Sequence, residues 1–476
     1  MRAIAFLTAF SVLLSASVEA QPLPDLGGSA DALLSPQTER RLGESIVRDM
    51  RRDPQFIDDP EISEYLGMLG GRLSAVTPGA RQDFEFFGVR DPSINAFALP
   101  GGFVGVHTGL LNAAETESQL ASVLAHEIAH VTQRHIARML GQQEQMQLPV
   151  LAALAAAILL GRSRPDLAAG AAAATQAGAV SAQLAYSRDF ERDADRVGLQ
   201  ALADAGFDAR AMAVFFEKMQ RSQRVADDGT LPGYLRTHPV STERIADAQN
   251  KVASLPYRQH LDSTEFHLVR AKLRAESGDA QEAVSHFERA VRDGRYANEA
   301  AGRYGLVNAL LRSRRTKEAS AEMARLRKTG AGGPMIETLD ARVRQALGDH
   351  AGAEKLLAQA RSRYPYSRPV LYAHVAALQE AGRHERAADV LVDAVRAYPS
   401  DPRLRGLQSQ SYEALGKRLL QHQAQAEYYV LRGSMPAAIE QLQLARRAGD
   451  GDFYQLSVVD ARLKELRNLH AQEKQR

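Results

Sequence analysis

Residues 123–135 read VLAHEIAHVTQRH, and this stretch decides what kind of fold surrounds it. The segment is apolar except for a few polar residues, three of them histidines and one a glutamate, which suits a buried helix. Thr116 and Gln119, just before it, form a capping-box pattern, so a helix should begin there. On that helix His126 and His130 are four residues apart and project from one face. Two imidazoles can therefore meet one metal ion.

Glu127 stands beside these histidines and completes the motif HExxH. In this motif the histidines bind zinc, and the glutamate is the base that takes a proton from the attacking water. Zinc accepts imidazole readily, and a catalytic zinc site keeps one position open. The alternative is a helix of ordinary core histidines, but three such residues at these positions seldom coincide by chance.

A second acidic motif could supply the ligand that two imidazoles leave missing. Residues 186–207, YSRDFERDADRVGLQALADAGF, combine apolar residues at helical spacing with an acidic stripe. Glu191 and Asp195 are four apart, so one carboxylate can bind the metal while the other orients a ligand imidazole. The alternative is a solvated acidic face, which we expect for Asp189 and Asp193.

The two motifs together carry a family resemblance. HEIAH at 126–130 followed by ERDAD at 191–195 resembles the M48 family of zinc metalloproteases, whose pattern is HExxH followed by ExxxD. NAFALPGG at 95–102 and RTHP followed by ERI at 236–245 also match that family. The resemblance covers roughly residues 35–250.

The resemblance implies a role for each motif residue. One Zn²⁺ per chain would be held by His126, His130 and Glu191, with Glu127 as the catalytic base and Asp195 orienting a ligand. His135 lies five residues past His130, off the ligand face of a continuous helix, so we expect it to be structural or to support a ligand.

His238 is a further candidate, in the sequence LRTHPVSTERI. Pro239 rules out a regular helix through this point, so the imidazole should lie on a loop. The resemblance places it near the catalytic zone. It could fill the fourth zinc position as a plug that regulates the site, donate a hydrogen bond to the transition state, or make no zinc contact. The motif alone leaves these three readings open.

Residues 83–109, DFEFFGVRDPSINAFALPGGFVGVHTG, predict a small β-sheet, because apolar residues alternate between turn signals. Peptidases commonly bind the substrate as an added strand at a sheet edge. We expect that edge at the residues just before the glycine turn, namely Asn95, Ala96, Phe97 and Ala98. His107 is expected to be an ordinary strand residue.

A repeat appears after residue 255, where every segment looks helical. Gly278, Gly348 and Gly382 each precede an alanine by five residues, and the last two glycines are 34 residues apart. This resembles the tetratricopeptide repeat, a helix-turn-helix of 34 residues. The alternative is a generic helical array. We expect the part from about residue 264 onward to fold independently and to bind partners through a concave face.

The chain opens MRAIAFLTAFSVLLSASVEAQPLP, which predicts a secretory signal cleaved after Ala20. A membrane anchor, the alternative, needs close to 20 apolar residues, and this run is shorter. The absence of cysteine excludes disulfides, thiol catalysis, Cys-ligated zinc and lipid attachment. Lys plus Arg (59) nearly balances Asp plus Glu (57), so no nucleic-acid partner is expected.

These observations predict an α+β chain with a signal peptide at 1–20. A mostly helical zincin-type metalloprotease domain with a small β-sheet should follow at 21–255, and an all-α tetratricopeptide-repeat domain at 256–476. Residues 148–185, rich in Ala and Leu, should form a helical hairpin over the active site. Alternatively they contact a membrane surface or a client, although their first apolar run is too short to span a bilayer.

The resemblance also implies a setting. It points to the periplasm of a Gram-negative bacterium and to a zinc endopeptidase acting in assembly and quality control of outer-membrane β-barrel proteins. Its clients would be unfolded or misassembled outer-membrane proteins, and the repeats would contact the barrel-assembly machinery. The alternative is a non-proteolytic chaperone or scaffold whose zinc site is structural or normally closed, because helical repeats are binding surfaces in their own right.

Overall fold

A computed structural model describes residues 34–142, 188–225 and 233–475. The predicted signal peptide and the predicted hairpin at 148–185 lie outside these residues. The first part of the described chain contains the strands β1 (Phe56–Ile57), β2 (Glu85–Val89), β3 (Ala96–Leu99) and β4 (Phe103–His107). Its helices are α1 (Pro36–Met50), α2 (Pro60–Ser74), α3 (Thr108–Ala113), α4 (Glu117–Thr132), α5 (His135–Gln142), α6 (Arg188–Asp204), α7 (Arg210–Val225), α8 (Gly233–Thr237) and α9 (Thr242–Ala253).

The four strands form one sheet in the order β1-β2-β4-β3. β2 and β4 are parallel, whereas β3 pairs antiparallel with β4 through a tight hairpin. Gly101 and Gly102 form the turn of this hairpin with φ values of +79° and +93°, which a side chain would strain. The Pro-Gly-Gly signal in the sequence is explained by this turn. β3 therefore lies at one edge of the sheet.

The helix α4 is buried along nearly its whole length and packs against β3, α2, α6 and α7. It begins as the sequence predicts, because the hydroxyl of Thr116 accepts a hydrogen bond from the backbone N–H of Gln119 at 3.2 Å. Gly198 of α6 lies against the backbone of Ala125 and His126, so the two helices approach closely. The two predicted metal motifs are thus on neighbouring helices.

The second part of the chain is a helical array, which confirms the predicted fold class. Its helices are α10 (Thr264–Glu276), α11 (Ala280–Arg292), α12 (Glu299–Arg312), α13 (Thr316–Lys328), α14 (Pro334–Ala346), α15 (His350–Arg363), α16 (Arg368–Glu380), α17 (His384–Ala397), α18 (Pro402–Ala414), α19 (Arg418–Leu431), α20 (Met435–Arg446) and α21 (Phe453–Gln475). Gly348 and Gly382 stand in the turns between paired helices with φ values of +83° and +70°. The small residues that follow them, Ala353 and Ala387, are fully buried.

The repeat pattern lacks its turn glycine at one place and continues regularly past Gly382 at another. The turn between α12 and α13 uses Arg314, a non-glycine residue at φ 58°, so this repeat lacks the glycine signal. Gly416 has φ +69° and stands 34 residues after Gly382, so it opens a further regular turn. The helix α19 then packs against both α18 and α20.

The helix α2 of the first part lies against the first helix of several successive pairs in the array. The buried carboxylate of Glu61 accepts hydrogen bonds from Lys272 of α10 at 2.6 Å, from Tyr304 of α12 at 3.3 Å and from Thr338 of α14. One apolar cluster extends from Ile57 to Val343. The first repeats therefore share an apolar core with the metal-binding part, a contact that the repeat pattern does not predict.

Later repeats have cores of their own. Eight buried side chains between Leu371 and Leu404 form one cluster, and eight between Leu419 and Leu466 form another. The array is thus joined to α2 at its beginning, and near its end the turn at Gly433 lies against the side chain of Arg48 in α1. Across the three ranges that the structure describes, none of the helices has the length and apolar character needed to cross a membrane.

Candidate metal centre

Three imidazoles and one carboxylate converge between α4, α6 and the residue that follows α8. The ligand atoms of His126, His130, Glu191 and His238 all lie within 4.8 Å of one another, and all four side chains are buried. The Nε2 atoms of the first two histidines are 2.9 Å apart. Glu191 places Oε1 3.4 Å from His130 Nε2 and Oε2 3.5 Å from His126 Nε2. His238 places Nδ1 2.9 Å from Glu191 Oε1 and 3.3 Å from His126 Nε2.

This donor set is compatible with a metal ion. Zinc is bound by imidazole nitrogen and carboxylate oxygen at about 2.0–2.2 Å, and a tetrahedron of that size has edges of about 3.4 Å. The separations in the cluster lie around that value. Buried nitrogen and oxygen lone pairs that face one another are unfavourable unless a cation or a proton lies between them. The residues present therefore fit a bound cation.

The pKa values of the clustered side chains also fit a bound cation. Burial alone would raise the pKa of Glu191, but His238, His126 and His130 hold that pKa well below its usual value. Burial alone would lower the pKa of His126, yet contacts with Asp195 and Glu191 raise it to about 9. Burial lowers the pKa of His130 well below its usual value. The carboxylate of Glu191 therefore stays ionised and the imidazole of His130 stays neutral, the states in which these side chains bind a cation.

Glu127 is fully buried beside the donor atoms. Its Oε1 lies 3.4 Å from Nε2 of His238. Among the described residues, neither of its carboxylate oxygens has a hydrogen-bond partner. A buried carboxylate in that condition is unfavourable for stability, so a functional reason is expected for it. Its oxygens are placed to accept a proton from a molecule bound in the cluster.

Asp195 lies behind His126, on the side away from the donor atoms. Its Oδ1 is 2.9 Å from His126 Nδ1. The guanidinium of Arg244, from α9, binds Asp195 through Nε at 2.6 Å and Nη2 at 2.7 Å, and its Nη1 lies 2.7 Å from Oε2 of Glu191. The sequence matched Arg244 only as part of the ERI motif, without a role. The available signal was the position of Arg244 on the same helical face as Ala248, because a charge on a buried face needs carboxylate partners.

The sequence predicts that Asp189 and Asp193 lie on a solvated face, and the structure agrees for only one of them. Asp189 has a side chain 88% exposed, as a solvated face requires. Asp193, expected on that same face, is only 24% exposed and contacts His135 Nε2 through Oδ2 at 3.3 Å. That expectation is wrong for Asp193, because α4 ends at Thr132 and the chain turns back to bring His135 against α6. Nothing in the spacing of the acidic residues shows this turn.

The predicted substrate edge lies at the start of β3. Asn95, Ala96, Phe97 and Ala98 are all buried, with at most 8% of their surface exposed. The short helix α8 lies beside this edge, and its Tyr234 donates a backbone hydrogen bond to the carbonyl of Ile94 at 3.0 Å. The ring of Tyr234 lies 4.9 Å from that of His238, between centroids. The α8 segment therefore touches the edge strand and leads directly to the donor cluster.

His107 lies on β4 and outside the donor cluster. Its Nδ1 is 2.9 Å from the hydroxyl of Ser93 and 3.7 Å from Asp91 Oδ1. Burial lowers the pKa of His107 below its usual value. These contacts are those of an ordinary strand residue.

An HExxH helix crossing an ExxxD helix, with the two histidines and the glutamate around one point, defines a metallopeptidase. Residues 65–252 match the peptidase family M48, and residues 345–411 match the tetratricopeptide repeat. The chain belongs to peptidase family M48, as a metalloendopeptidase with a tetratricopeptide-repeat region. It is 32% identical over 469 residues to the beta-barrel assembly-enhancing protease of Escherichia coli, which covers 98% of this chain and 95% of that relative.

Two other similarities cover less of the molecule. The chain is 40% identical over 269 residues to the putative beta-barrel assembly-enhancing protease of Vibrio cholerae, covering 56% of this chain and 55% of that protein. Among solved structures, the tetratricopeptide-repeat protein YrrB, described as having an unusual peptide-binding site, is similar over 38% of this chain and 91% of its own, at 14% identity and a TM-score of 0.30.

Proposed function

We propose that the chain is a zinc-dependent endopeptidase in which His126, His130 and Glu191 hold the ion. Glu127 is the catalytic base, and Asp195 orients His126 through its Nδ1. The observation that carries the proposal is the convergence of buried imidazole and carboxylate donors within 4.8 Å, beside a buried glutamate whose oxygens lack hydrogen bonds among the described residues. A structural metal site has no need of such a base.

The proposed chemistry divides between the ion and the side chains. When bound, zinc polarises the scissile carbonyl and lowers the pKa of water at the site. Glu127 takes a proton from the attacking water and delivers it to the leaving amine. Asp195, held by Arg244, keeps the proton of His126 on Nδ1, so Nε2 remains available as a donor to the metal. Arg244 also contacts Glu191 and so keeps the helices α6 and α9 in register around the site.

The substrate would lie extended along the edge formed by Asn95, Ala96, Phe97 and Ala98. Recognition there would be through backbone hydrogen bonds, as in other cases of strand addition, and would leave side-chain preference broad. The position of β3 at the edge of the sheet supports this. Because α8 covers the start of that edge, binding would require α8 to move.

His238 is proposed as a fourth zinc ligand that regulates access. Its Nδ1 belongs to the donor cluster, and its Nε2 approaches Glu127. With His238 in this position the fourth coordination site is filled, which makes the resting enzyme closed. A protease that shares a compartment with unfolded chains needs such control.

The biological role is proposed from the relatives that match nearly the whole chain, whose name describes β-barrel assembly enhancement. We place the protein in the periplasm of a Gram-negative bacterium, with residues 1–20 as the signal peptide, 21–255 as the protease domain and 256–476 as the repeat domain. Unfolded or misassembled outer-membrane proteins would be its substrates, and the repeats would contact the barrel-assembly machinery. Peripheral membrane contact through residues 148–185 belongs to the same proposal.

One observation favours a second function alongside the first. His238 belongs to the donor cluster, and a resting protein in which it fills the fourth position would act as a chaperone or scaffold that binds clients through its repeats without cleaving them. Since α2 already occupies a face of the first repeats, client binding would use the later ones.

The decisive experiment is digestion of casein or of an unfolded β-barrel protein by the purified chain, with and without a chelator. Cleavage that a chelator abolishes and added zinc restores is the expected result. Cleavage that survives complete metal removal would contradict the proposal. Binding of the unfolded barrel without any cleavage, at full zinc occupancy and with His238 replaced by alanine, would favour the scaffold function.

A further inference from the structure

The nitrogen of His130 that points away from the donor cluster has an unusual partner. An imidazole that binds a metal through Nε2 carries its proton on Nδ1, and that N–H usually donates to a carboxylate, a carbonyl or water. Here His130 Nδ1 lies 2.8 Å from Nδ1 of His135. A hydrogen bond between two such nitrogens requires that one donates and the other accepts.

The direction of this hydrogen bond follows from the contact that the other ring nitrogen of His135 makes. Its Nε2 lies 3.3 Å from Oδ2 of Asp193, and a carboxylate can only accept. His135 therefore donates from Nε2 and accepts at Nδ1. His130 then donates from Nδ1 and presents Nε2 to the cluster. The three residues thus form one series of hydrogen bonds, in which His130 donates to His135 and His135 donates to Asp193.

The hydrogen bonds between these residues depend on one strained backbone conformation. Arg134, two residues after the end of α4, adopts the left-handed conformation with φ 53°, which is strained by about 1 kcal/mol or more for a residue with a side chain. Its guanidinium binds Glu39 at 2.7 Å and the carbonyl of Leu34. In an uninterrupted helix His135 would lie about 140° around the axis from His130. The turn at Arg134 is what brings the two rings together.

Ring stacking holds His135 in place, and ion pairs hold Asp193. Its ring is fully buried and stacks on Phe190 of α6, with centroids 4.7 Å apart and planes 16° from parallel. Asp193 is held by Arg196, whose Nη2 lies 2.7 Å from Oδ1. Arg138 of α5 approaches the other oxygen of Asp193 at 3.6 Å.

We propose that His135 and Asp193 are positioning residues of the metal centre, which fix His130 in the tautomer that offers Nε2 to the ion. The proposal rests on the proposed zinc role of His130. His126 receives the same support from Asp195 directly, so both imidazoles of the HExxH motif are backed by a carboxylate, that of His130 through a second imidazole. Partners of this kind typically change metal affinity by about 10- to 100-fold.

The test compares His135→Phe, which keeps the stacked ring but removes the acceptor, with His135→Gln, which can still accept from His130 and donate to Asp193. Zinc affinity is measured on the full chain by competition with a chromophoric chelator. We expect the phenylalanine variant to bind zinc about 10- to 100-fold more weakly and the glutamine variant to recover most of that loss. Asp193→Ala should weaken binding less than His135→Phe.

The matched control is His374→Phe in α16, where a buried imidazole has no hydrogen-bond partner among the described residues and lies outside the donor cluster. It should bind zinc as the wild type does. Nitrogen-15 spectra of the zinc-loaded wild type give a second readout, since His135 should carry its proton on Nε2. An Nδ1–H tautomer, or unchanged zinc affinity in a folded His135→Phe, would overturn the inference. Failure of the wild type itself to bind zinc would instead overturn the proposed function.

Discussion

The Nδ1 atom of His238 lies 2.9 Å from Oε1 of Glu191, although the two residues are 47 positions apart in the sequence. One imidazole outside the two motif helices thus reaches the same point as the motif side chains. Its other nitrogen lies 3.4 Å from Glu127. The residue therefore touches both a proposed ligand and the proposed base.

We expect His238→Ala to raise basal cleavage of an unfolded substrate, because it opens the fourth coordination position. The measurement is initial cleavage rate at saturating zinc, together with the absorption spectrum of a cobalt-substituted sample, which should change when one nitrogen ligand is lost. A lower rate would mean that His238 donates to the transition state. An unchanged rate with an unchanged spectrum would remove the residue from the site.

Glu127→Gln should retain zinc and lose peptidase activity. The amide cannot take the proton of the attacking water, and general-base contributions are typically on the order of 10²- to 10⁴-fold. Cleavage assays at equal zinc content, determined by atomic absorption, give the comparison. Wild-type turnover in this variant would show that another group is the base.

Glu191→Gln should weaken metal binding itself, since a neutral amide is a poorer ligand than a carboxylate that is kept ionised by three histidines. Zinc affinity measured by chelator competition should fall, and activity should partly return at high zinc concentration. Asp189→Asn is the control, because that side chain is 88% exposed. Equal zinc affinity in both variants would place the third ligand elsewhere.

Lys272→Met should destabilise the protein by about 3–5 kcal/mol, because it leaves the buried carboxylate of Glu61 without its cation. Lys218→Met is a matched control whose partner Glu115 is 67% exposed, and its effect should stay within about 1 kcal/mol. The free energies of unfolding come from denaturant titration. A small effect at Lys272 would mean that the repeats are not anchored at α2 through this pair.

Gly198→Ala should weaken zinc binding and lower stability by about 1–3 kcal/mol, because its new carbon would lie 3.0 Å from backbone atoms of Ala125 and His126. Gly67→Ala, on the open face of α2, has nothing within 4 Å and should instead stabilise by about 0.5–1 kcal/mol. Thermal unfolding with and without zinc checks both. Equal behaviour of the two variants would contradict a close contact between α4 and α6.

Features encoded by neighbouring residues could be predicted from the sequence. The start of α4 followed from the Thr116 cap, and the helix pairs followed from the period of Gly348 and Gly382. In each case the cause is local, since a hydroxyl caps the next turn and a glycine permits a positive φ. The motifs also named four residues that the structure brings together with His238.

Features that depend on distant segments could not be predicted. The contact between His135 and Asp193 requires the turn at Arg134, a residue type that rarely adopts a positive φ. The docking of α2 on the repeats was likewise missed. A glutamate at the start of α2 and a lysine within α10 were the visible signs, but Glu61 and Lys272 are 211 residues apart. Their pairing is decided by the topology of the whole chain.

The separate apolar cluster at the end of the array affects how the molecule unfolds locally. Local unfolding among Leu419–Leu466 breaks contacts within that cluster and leaves intact the one that extends from Ile57 to Val343. The last helices are therefore expected to open separately from the part of the molecule that carries the donor cluster. His126, His130, Glu191 and His238 lie outside that cluster, so movement of the last helices should leave the separations between their donor atoms unchanged.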